Sequence, residues 1–272
     1  MSDETKKRYE ELLAHLRGLG GVVLGFSGGV DSSLLAAAAH DALGPLAIAV
    51  SGHSPTHPES DLDDAKAVAA AVGVRFLIVD TDEMDDPQFA ANGPRRCYFC
   101  KKHLFQKLWD IARAEDVPFV IEGSNRDDLS DYRPGIEALR ELAVRSPFIE
   151  LGIGKDEIRA MAQARGLPVW DKPAAACLAS RVPYGEGIDV AKLARIAQAE
   201  AALRALGFRV VRARDHFPLV RLELEPASIA RAADAVLRDR IVAAMKAAGY
   251  QYVALDLQGY RRGAMNETLS EE

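Results

Sequence analysis

The apolar run Val22–Phe26 passes straight into Ser27-Gly28-Gly29-Val30-Asp31-Ser32-Ser33 and then into the Ala-rich stretch Leu34–Ala42. A strand, a glycine turn and a helix joined without a spacer leave the chain few folds to adopt. Two consecutive glycines let the backbone turn tightly and approach an anion. The Ser27, Ser32 and Ser33 hydroxyls can donate hydrogen bonds, and a helix beginning near Asp31 adds N–H groups and the positive end of its dipole. The segment is an anion cradle. It has neither the Lys of G-x-x-x-x-G-K-[ST] nor the third glycine of a dinucleotide fingerprint, so it is not a Walker loop or a Rossmann turn.

Further apolar runs at Leu46–Ser51, Phe76–Asp80, Phe119–Gly123 and Phe148–Leu151 alternate with helical patterns. That alternation predicts an α/β fold with a parallel, doubly wound sheet covered by helices on both faces. The runs are continuous rather than alternating, as expected for strands buried on both sides, and ligands of such sheets bind at the strands' carboxyl ends. Segment Leu167–Gly187, with three prolines and two glycines, reads as a loop. Beyond it the pattern predicts a helix (Val190–Leu206), strands at Arg209–Arg214 and Leu219–Glu225, helical segments over Pro226–Ala248 and a last strand, Tyr252–Leu257. The expected organisation is a nucleotide-type domain (1–166), an active-site linker (167–187) and a small C-terminal α+β domain (188–272). A chain of 272 residues is long enough for two cores.

The glycine turn matches S-G-G-x-D-S at every fixed position and so resembles the PP-loop of the ATP pyrophosphatases. That resemblance implies a Rossmann-like fold, ATP as substrate, and attack of an acceptor oxygen on the α-phosphate with loss of pyrophosphate. Mg²⁺ would offset the developing charge, with Asp31 as its contact. Ser51 and Gly52, with Gly123 and Ser124, stand where this fold places nucleotide contacts. Asn125, Asp127 and Asp128 either serve the adenylation site or cap a helix.

The three cysteines are Cys97 and Cys100, in Arg95-Arg96-Cys97-Tyr98-Phe99-Cys100-Lys101-Lys102, and Cys177, in Ala176-Cys177-Leu178-Ala179-Ser180-Arg181. An odd count argues against a disulfide framework. Three thiolates suit an iron-sulfur cluster with one iron open; zinc on three Cys and His103, or buried thiols sharing no site, are the alternatives. Arg181, four residues after Cys177, is placed to favour a thiolate and to bind an anion. Arg212 and Arg214, two apart on a strand, point to one face and suit a nucleotide phosphate. Glu200 and Glu223 read as solvated charge, the alternatives being balance for the arginines or a metal, and His53 and His57 read as structural.

Taken with the PP-loop, Arg-Cys-Tyr-Phe-Cys-Lys-Lys, Cys-Leu-Ala-Ser-Arg-Val-Pro-Tyr-Gly and the tail Asp256–Asn266 make the chain similar, over nearly its whole length, to the LarE family. These are ATP-dependent sulfur transferases of nickel-pincer nucleotide biosynthesis, the maturation route of lactate racemase. The resemblance implies that a carboxylate of pyridinium-3,5-biscarboxylic acid mononucleotide is adenylated and converted to a thiocarboxylate. In single-cysteine members the residue matching Cys177 surrenders its own sulfur and becomes dehydroalanine. This sequence instead looks like the three-cysteine members, which implies a 4Fe-4S cluster held by Cys97, Cys100 and Cys177, a sulfide donor and a homo-oligomer.

Lys and Arg number 34 against 40 Asp and Glu, a net charge of −6, which argues against a nucleic-acid partner. The N-terminal stretch is a charged amphipathic helix without a signal-peptide core, and no stretch suits a membrane, so the expected location is cytoplasmic. Two other functions compete: a PP-loop tRNA thiolation enzyme with a cluster, and a non-catalytic ATP-binding sensor. Pyrophosphate release that depends on a carboxylate acceptor separates the sensor from both enzymes.

Overall fold

The structure, a computed structural model, describes residues 2–130, 134–173, 176–261 and 263–269. Ala174 and Ala175 of the Cys177 loop and Arg262 of the tail lie outside the described residues. The chain forms two units, one of residues 1–86 and 95–175, the other of residues 87–94 and 176–272.

In the first unit the elements are α1 (Asp3–Arg17), β1 (Val22–Gly25), α2 (Val30–Leu43), β2 (Ala47–His53), α3 (Glu59–Val72) and β3 (Arg75–Asp80). The short α4 (Pro87–Ala90) belongs to the other unit, and α5 (Arg96–Ala114), β4 (Phe119–Ile121), α6 (Pro134–Glu141), α7 (Pro147–Glu150) and α8 (Lys155–Ala164) complete the first. The sheet order is β3-β2-β1-β4, every pair parallel, with Val22 opposite both Ala47 and Phe119. Successive β1 residues serve opposite faces, as a pleated strand requires. Val22 and Leu24 pack into a core shared with α1, α2 and α8, whereas Val23 packs with Phe105, Leu108 and Ala112 of α5. The doubly wound parallel sheet is therefore as expected.

Helix α2 is apolar all round because it is covered all round. Leu34 through Ala39 have no exposed surface, and the small side chains of Ala36 to Ala39 let α1, α3 and α8 pack close. One expected strand is absent: Phe148–Leu151 overlaps the helical turn Pro147–Glu150, and an isolated bridge pairs Arg145 with Ile121 in parallel register. Pro147 sits at the first helical position, where its fixed φ and missing N–H cost nothing, and the buried Phe148 fills the core from that turn.

In the second unit α9 (Val190–Ala205) precedes β5 (Val211–His216) and β6 (Leu219–Leu224), followed by α10 (Ile229–Ala232), α11 (Ala235–Ala247) and β7 (Tyr252–Leu255). β5 pairs antiparallel with β6, which pairs parallel with β7. Ala199 and Leu203 of α9 and Ile241 and Met245 of α11 close the core over this sheet. No helix among the described residues is long and apolar enough to cross a membrane.

Residues 87–94 join this unit through Asn92, which is fully buried in a left-handed conformation, φ 54°. Its side-chain amide donates to the carbonyls of Val182, Pro183 and Glu186 at 3.2, 2.7 and 3.0 Å. Backbone bonds from Gly185 to Asn92 and from Ile188 to Ala90 complete the join. Replacing Asn92 by Ala strands those carbonyls. The expected loss is roughly 1–3 kcal/mol, read as a lower denaturant midpoint at unchanged slope.

Candidate functional site

A cleft of about 320 Å³ opens at the carboxyl ends of the first unit's strands. Ser27, Gly29, Asp31 and Ser32 line it from the glycine turn, Ser51 and Gly52 from β2, Gly123 and Ser124 from the end of β4, and Cys100 and Lys101 from α5.

Ser32 braces the turn: its hydroxyl donates to the Gly29 carbonyl at 3.2 Å, accepts from the Ser27 amide at 3.2 Å and stands 3.1 Å from the Ser27 hydroxyl. Gly28 does not line the cleft but makes the turn possible. Its φ is +65°, and a Cβ there would lie 2.9 Å from the Cα of Ala65 on α3. At Gly123 a Cβ would stand 3.2 Å from the Ser32 amide nitrogen, so β4 ends close against the first turn of α2. Ser33 is fully buried and is not among the residues lining the cleft. The Ser51 hydroxyl donates to the Phe26 carbonyl at 2.6 Å, tying β2 to β1. Ser124 donates through both its amide and its hydroxyl to the buried Glu122, at 2.9 and 2.7 Å.

Asp31 meets a partner that sequence reasoning missed, the Lys155 ammonium at 2.5 Å. Lys155 opens α8, and a cation at a helix N-terminus opposes the helix dipole. That misplaced charge was the available signal. Asp127 caps α8 by accepting from the Lys155 amide at 2.8 Å, Asp128 lines the cleft, and the Asn125 amide reaches Asp31 at 3.5 Å.

His53 closes the other end of the cleft. Nδ1 lies 2.8 Å from Asp80 at the end of β3 and Nε2 lies 3.2 Å from Glu59 at the start of α3. Only the imidazolium can donate to both, and Asp80 first, then Glu59, raise the His53 pKa. His103 is likewise held by acids, Asp86 at 3.0 Å and Asp82 at 3.4 Å.

Cys97 is exposed and Cys100 half-buried, both in the first turns of α5; Cys177 is half-buried in the second unit. Among the described residues no three His, Cys, Asp or Glu side chains gather into a metal-ion group.

Glu200 and Glu223 are buried, not solvated. Glu200 receives Nε and Nη2 of Arg181 at 2.6 and 3.0 Å and Arg204 at 2.8 Å. Burial pushes its carboxyl up, but the Arg181 bond and the fields of Arg181, Arg204 and Arg212 hold its pKa below the ordinary range. Arg181 turns its remaining nitrogen, Nη1, to Ser180 Oγ and the carbonyls of Ala176 and Cys177, at 2.7, 2.8 and 3.0 Å. Arg214 binds Glu223 at 2.9 and 2.7 Å and the Ser180 carbonyl at 2.6 Å, and Arg221 pairs with Glu223 and Asp256. Arg212 stacks over Tyr260 at 4.7 Å; burial and then the Arg181 charge lower its pKa. Of the two arginines of β5, Arg214 pairs with Glu223, and Arg212 lies in the fields of Arg181 and Glu200.

Residues 7–96 match the NAD synthase family model. An uncharacterized protein of Synechocystis sp. is 44% identical over 98% of this chain and 99% of its own length. The pyridinium-3,5-bisthiocarboxylic acid mononucleotide synthase of Lactiplantibacillus plantarum is 36% identical over 96% of this chain and 94% of its own. An NH(3)-dependent NAD(+) synthetase of Chlorobaculum tepidum is 32% identical over 41% of this chain and 42% of its own.

Two outcomes follow from the geometry. Gly28→Ala forces a side chain into a left-handed turn against the α3 backbone, costing about 1–2 kcal/mol from φ alone. It should weaken ATP binding by roughly tenfold or more in calorimetric titration. The stability lost in His53→Gln should be full below about pH 6.5, the unfolded-state value, because the raised pKa means the folded protein holds the proton more tightly. It should fade as the pH rises through the folded-state pKa, as measured by denaturant unfolding at a series of pH values.

Proposed function

Because the chain belongs to the LarE family of PP-loop sulfur transferases, we propose that it adenylates a carboxylate of pyridinium-3,5-biscarboxylic acid mononucleotide and replaces a carboxylate oxygen by sulfur. The observation that carries this reading is the braced turn Ser27–Ser32 at the N-terminus of α2, aimed into a cleft at the strand ends. A carboxylate is a poor acyl donor because its leaving group is oxide. Attack of its oxygen on the α-phosphate of ATP expels pyrophosphate and supplies AMP as the leaving group. A sulfur nucleophile then displaces AMP, leaving the thiocarboxylate.

In this reading the amides and hydroxyls of Ser27 to Ser32 hold the leaving pyrophosphate, and Ser51, Gly123 and Ser124 border the nucleoside. Asp31 and Asp128, which both line the cleft, offer the hard oxygens that Mg²⁺ prefers, so the residues present fit that ion. Bound there, Mg²⁺ would neutralise charge on the phosphates. Lys155 neutralises Asp31 and is a second cation at the phosphate end of the cleft.

The second unit is read as holding the substrate's own phosphate. The guanidiniums of Arg181, Arg204, Arg214 and Arg221 pair with Glu200, Glu223 and Asp256, and Arg212 lies in the field of Glu200. Arg212 and Arg214, two apart on β5 and both buried, are read as the contacts of that phosphate, because a guanidinium presents forked donors that match a phosphate. Arg181 is read as part of the framework, since its bonds go to protein acceptors.

For the sulfur, we propose a 4Fe-4S cluster on Cys97, Cys100 and Cys177, replenished by a sulfide donor. Support comes from the number of soft thiol ligands and from the pair's place within one helical segment. The pair lies in one unit and Cys177 in the other, and no metal-ion group is gathered among the described residues.

The test is pyrophosphate release with and without the dicarboxylate nucleotide, with mass analysis of the product, on protein purified without oxygen. Acceptor-dependent release and a thiocarboxylate are expected, and Asp31→Asn should lower the rate by about 10²-fold. Iron and sulfide should be lost in each single Cys→Ser variant. Dehydroalanine at Cys177, with full activity after Cys97→Ser and Cys100→Ser, would reject the cluster in favour of a sacrificial cysteine.

A further inference from the structure

Cys177 stands at the start of a segment anchored beyond it by the buried Leu178, Ala179 and Val182. Ala176 is exposed, Cys177 is half-buried, and the short helical turn Leu178–Arg181 follows at once. What grips the Ala176 and Cys177 carbonyls is charge. Nη1 of Arg181 carries two N–H groups and serves three oxygens, the carbonyls of Ala176 and Cys177 and the hydroxyl of Ser180. The Ser180 hydroxyl and amide also donate to the Cys177 carbonyl, at 2.8 and 3.1 Å. A guanidinium can hold these groups in place only if its own plane is held.

That plane is held by Glu200. The carboxylate has no exposed surface and takes Nε and Nη2 of Arg181 in a two-point pair, which leaves Nη1 one direction in which to point. Glu200 is anchored in turn by Arg204 on the same helix and by the Ala213 amide of β5, at 2.8 and 3.2 Å. A second clamp acts from the other side, where Arg214, held by Glu223, donates to the Ser180 carbonyl.

We propose that Glu200 is a positioning residue for Cys177, acting through Arg181: it fixes the guanidinium that grips the Ala176 and Cys177 carbonyls and so sets where the thiol is presented. The proposal rests on reading Cys177 as a sulfur-handling thiol. It requires no particular sulfur chemistry there, because cluster ligation and direct donation both need a fixed sulfur.

Two variants test it. Glu200→Gln keeps an acceptor for Nε but loses the two-point charged pair. Arg181→Lys keeps the positive charge but cannot span Glu200 and the two carbonyls together. Hydrogen exchange of the segment 176–182, followed by mass spectrometry, should accelerate about tenfold or more in both, while the β5–β6 ladder exchanges as in the wild type. In Glu200→Gln, the thiocarboxylate formed per pyrophosphate released should fall about tenfold or more. A purely structural role would lower both half-reactions together.

Wild-type exchange of segment 176–182 in the folded variants would overturn the proposal. So would a loosened loop with undiminished thiocarboxylate formation, or a parallel loss of both half-reactions. If the wild type itself forms no thiocarboxylate, the sulfur-transfer reading fails, and the grip on Cys177 still stands or falls on the exchange rates.

Discussion

The cleft depends on a contact between two backbones, Gly28 of the turn against Ala65 of α3. A side chain at Gly28 would push the turn off α3 and away from the α2 N-terminus, separating the N–H groups from the hydroxyls of Ser27 and Ser32. The same close approach recurs at Gly123, where the end of β4 meets the first turn of α2. The alanines of α2 serve this geometry from inside, since a helix with small side chains on every face can be enclosed by α1, α3 and α8 without lifting its N-terminus from the strand ends.

The two units present charge by different means. In the first, the anion site is built mainly from backbone amides and hydroxyls, dipoles that need no counterion when empty. In the second, positive charge is carried by buried guanidiniums, whose removal from water is costly unless carboxylates accompany them. Glu200 and Glu223 meet that need for Arg181 and Arg214, and Glu200 also lies in the field of Arg212.

Much of the first unit was legible. Strands at Val22, Leu46, Phe76 and Phe119 appear close to where their apolar runs place them, because a strand buried on both faces must be continuously apolar. Phe148–Leu151 carries the same signal, yet Pro147 starts a helical turn there. Short apolar runs do not distinguish a strand from a buried helical turn. Glu200 and Glu223 read as surface because a lone Glu in a helix or strand usually is. Their partners lie on other segments: Arg181 is 19 residues from Glu200, and Arg214 is 9 from Glu223 across a hairpin. Asn92 gave no signal at all, since its acceptors lie about 90 residues further along the chain.

By itself, the sequence determined the chemistry available: a strand–glycine–helix turn able to cradle phosphate, three thiols, and the parallel sheet implied by the order of apolar runs. Each of these is local, written in residues that are neighbours along the chain or in a short-period pattern. Only the tertiary structure decided which charges face each other. It set Lys155 against Asp31, His53 between Asp80 and Glu59, and Glu200 behind the guanidinium that grips the Cys177 loop. Whether a charged side chain is solvated surface or buried framework depends on which distant segments remove it from water, and that is settled only when the chain has folded.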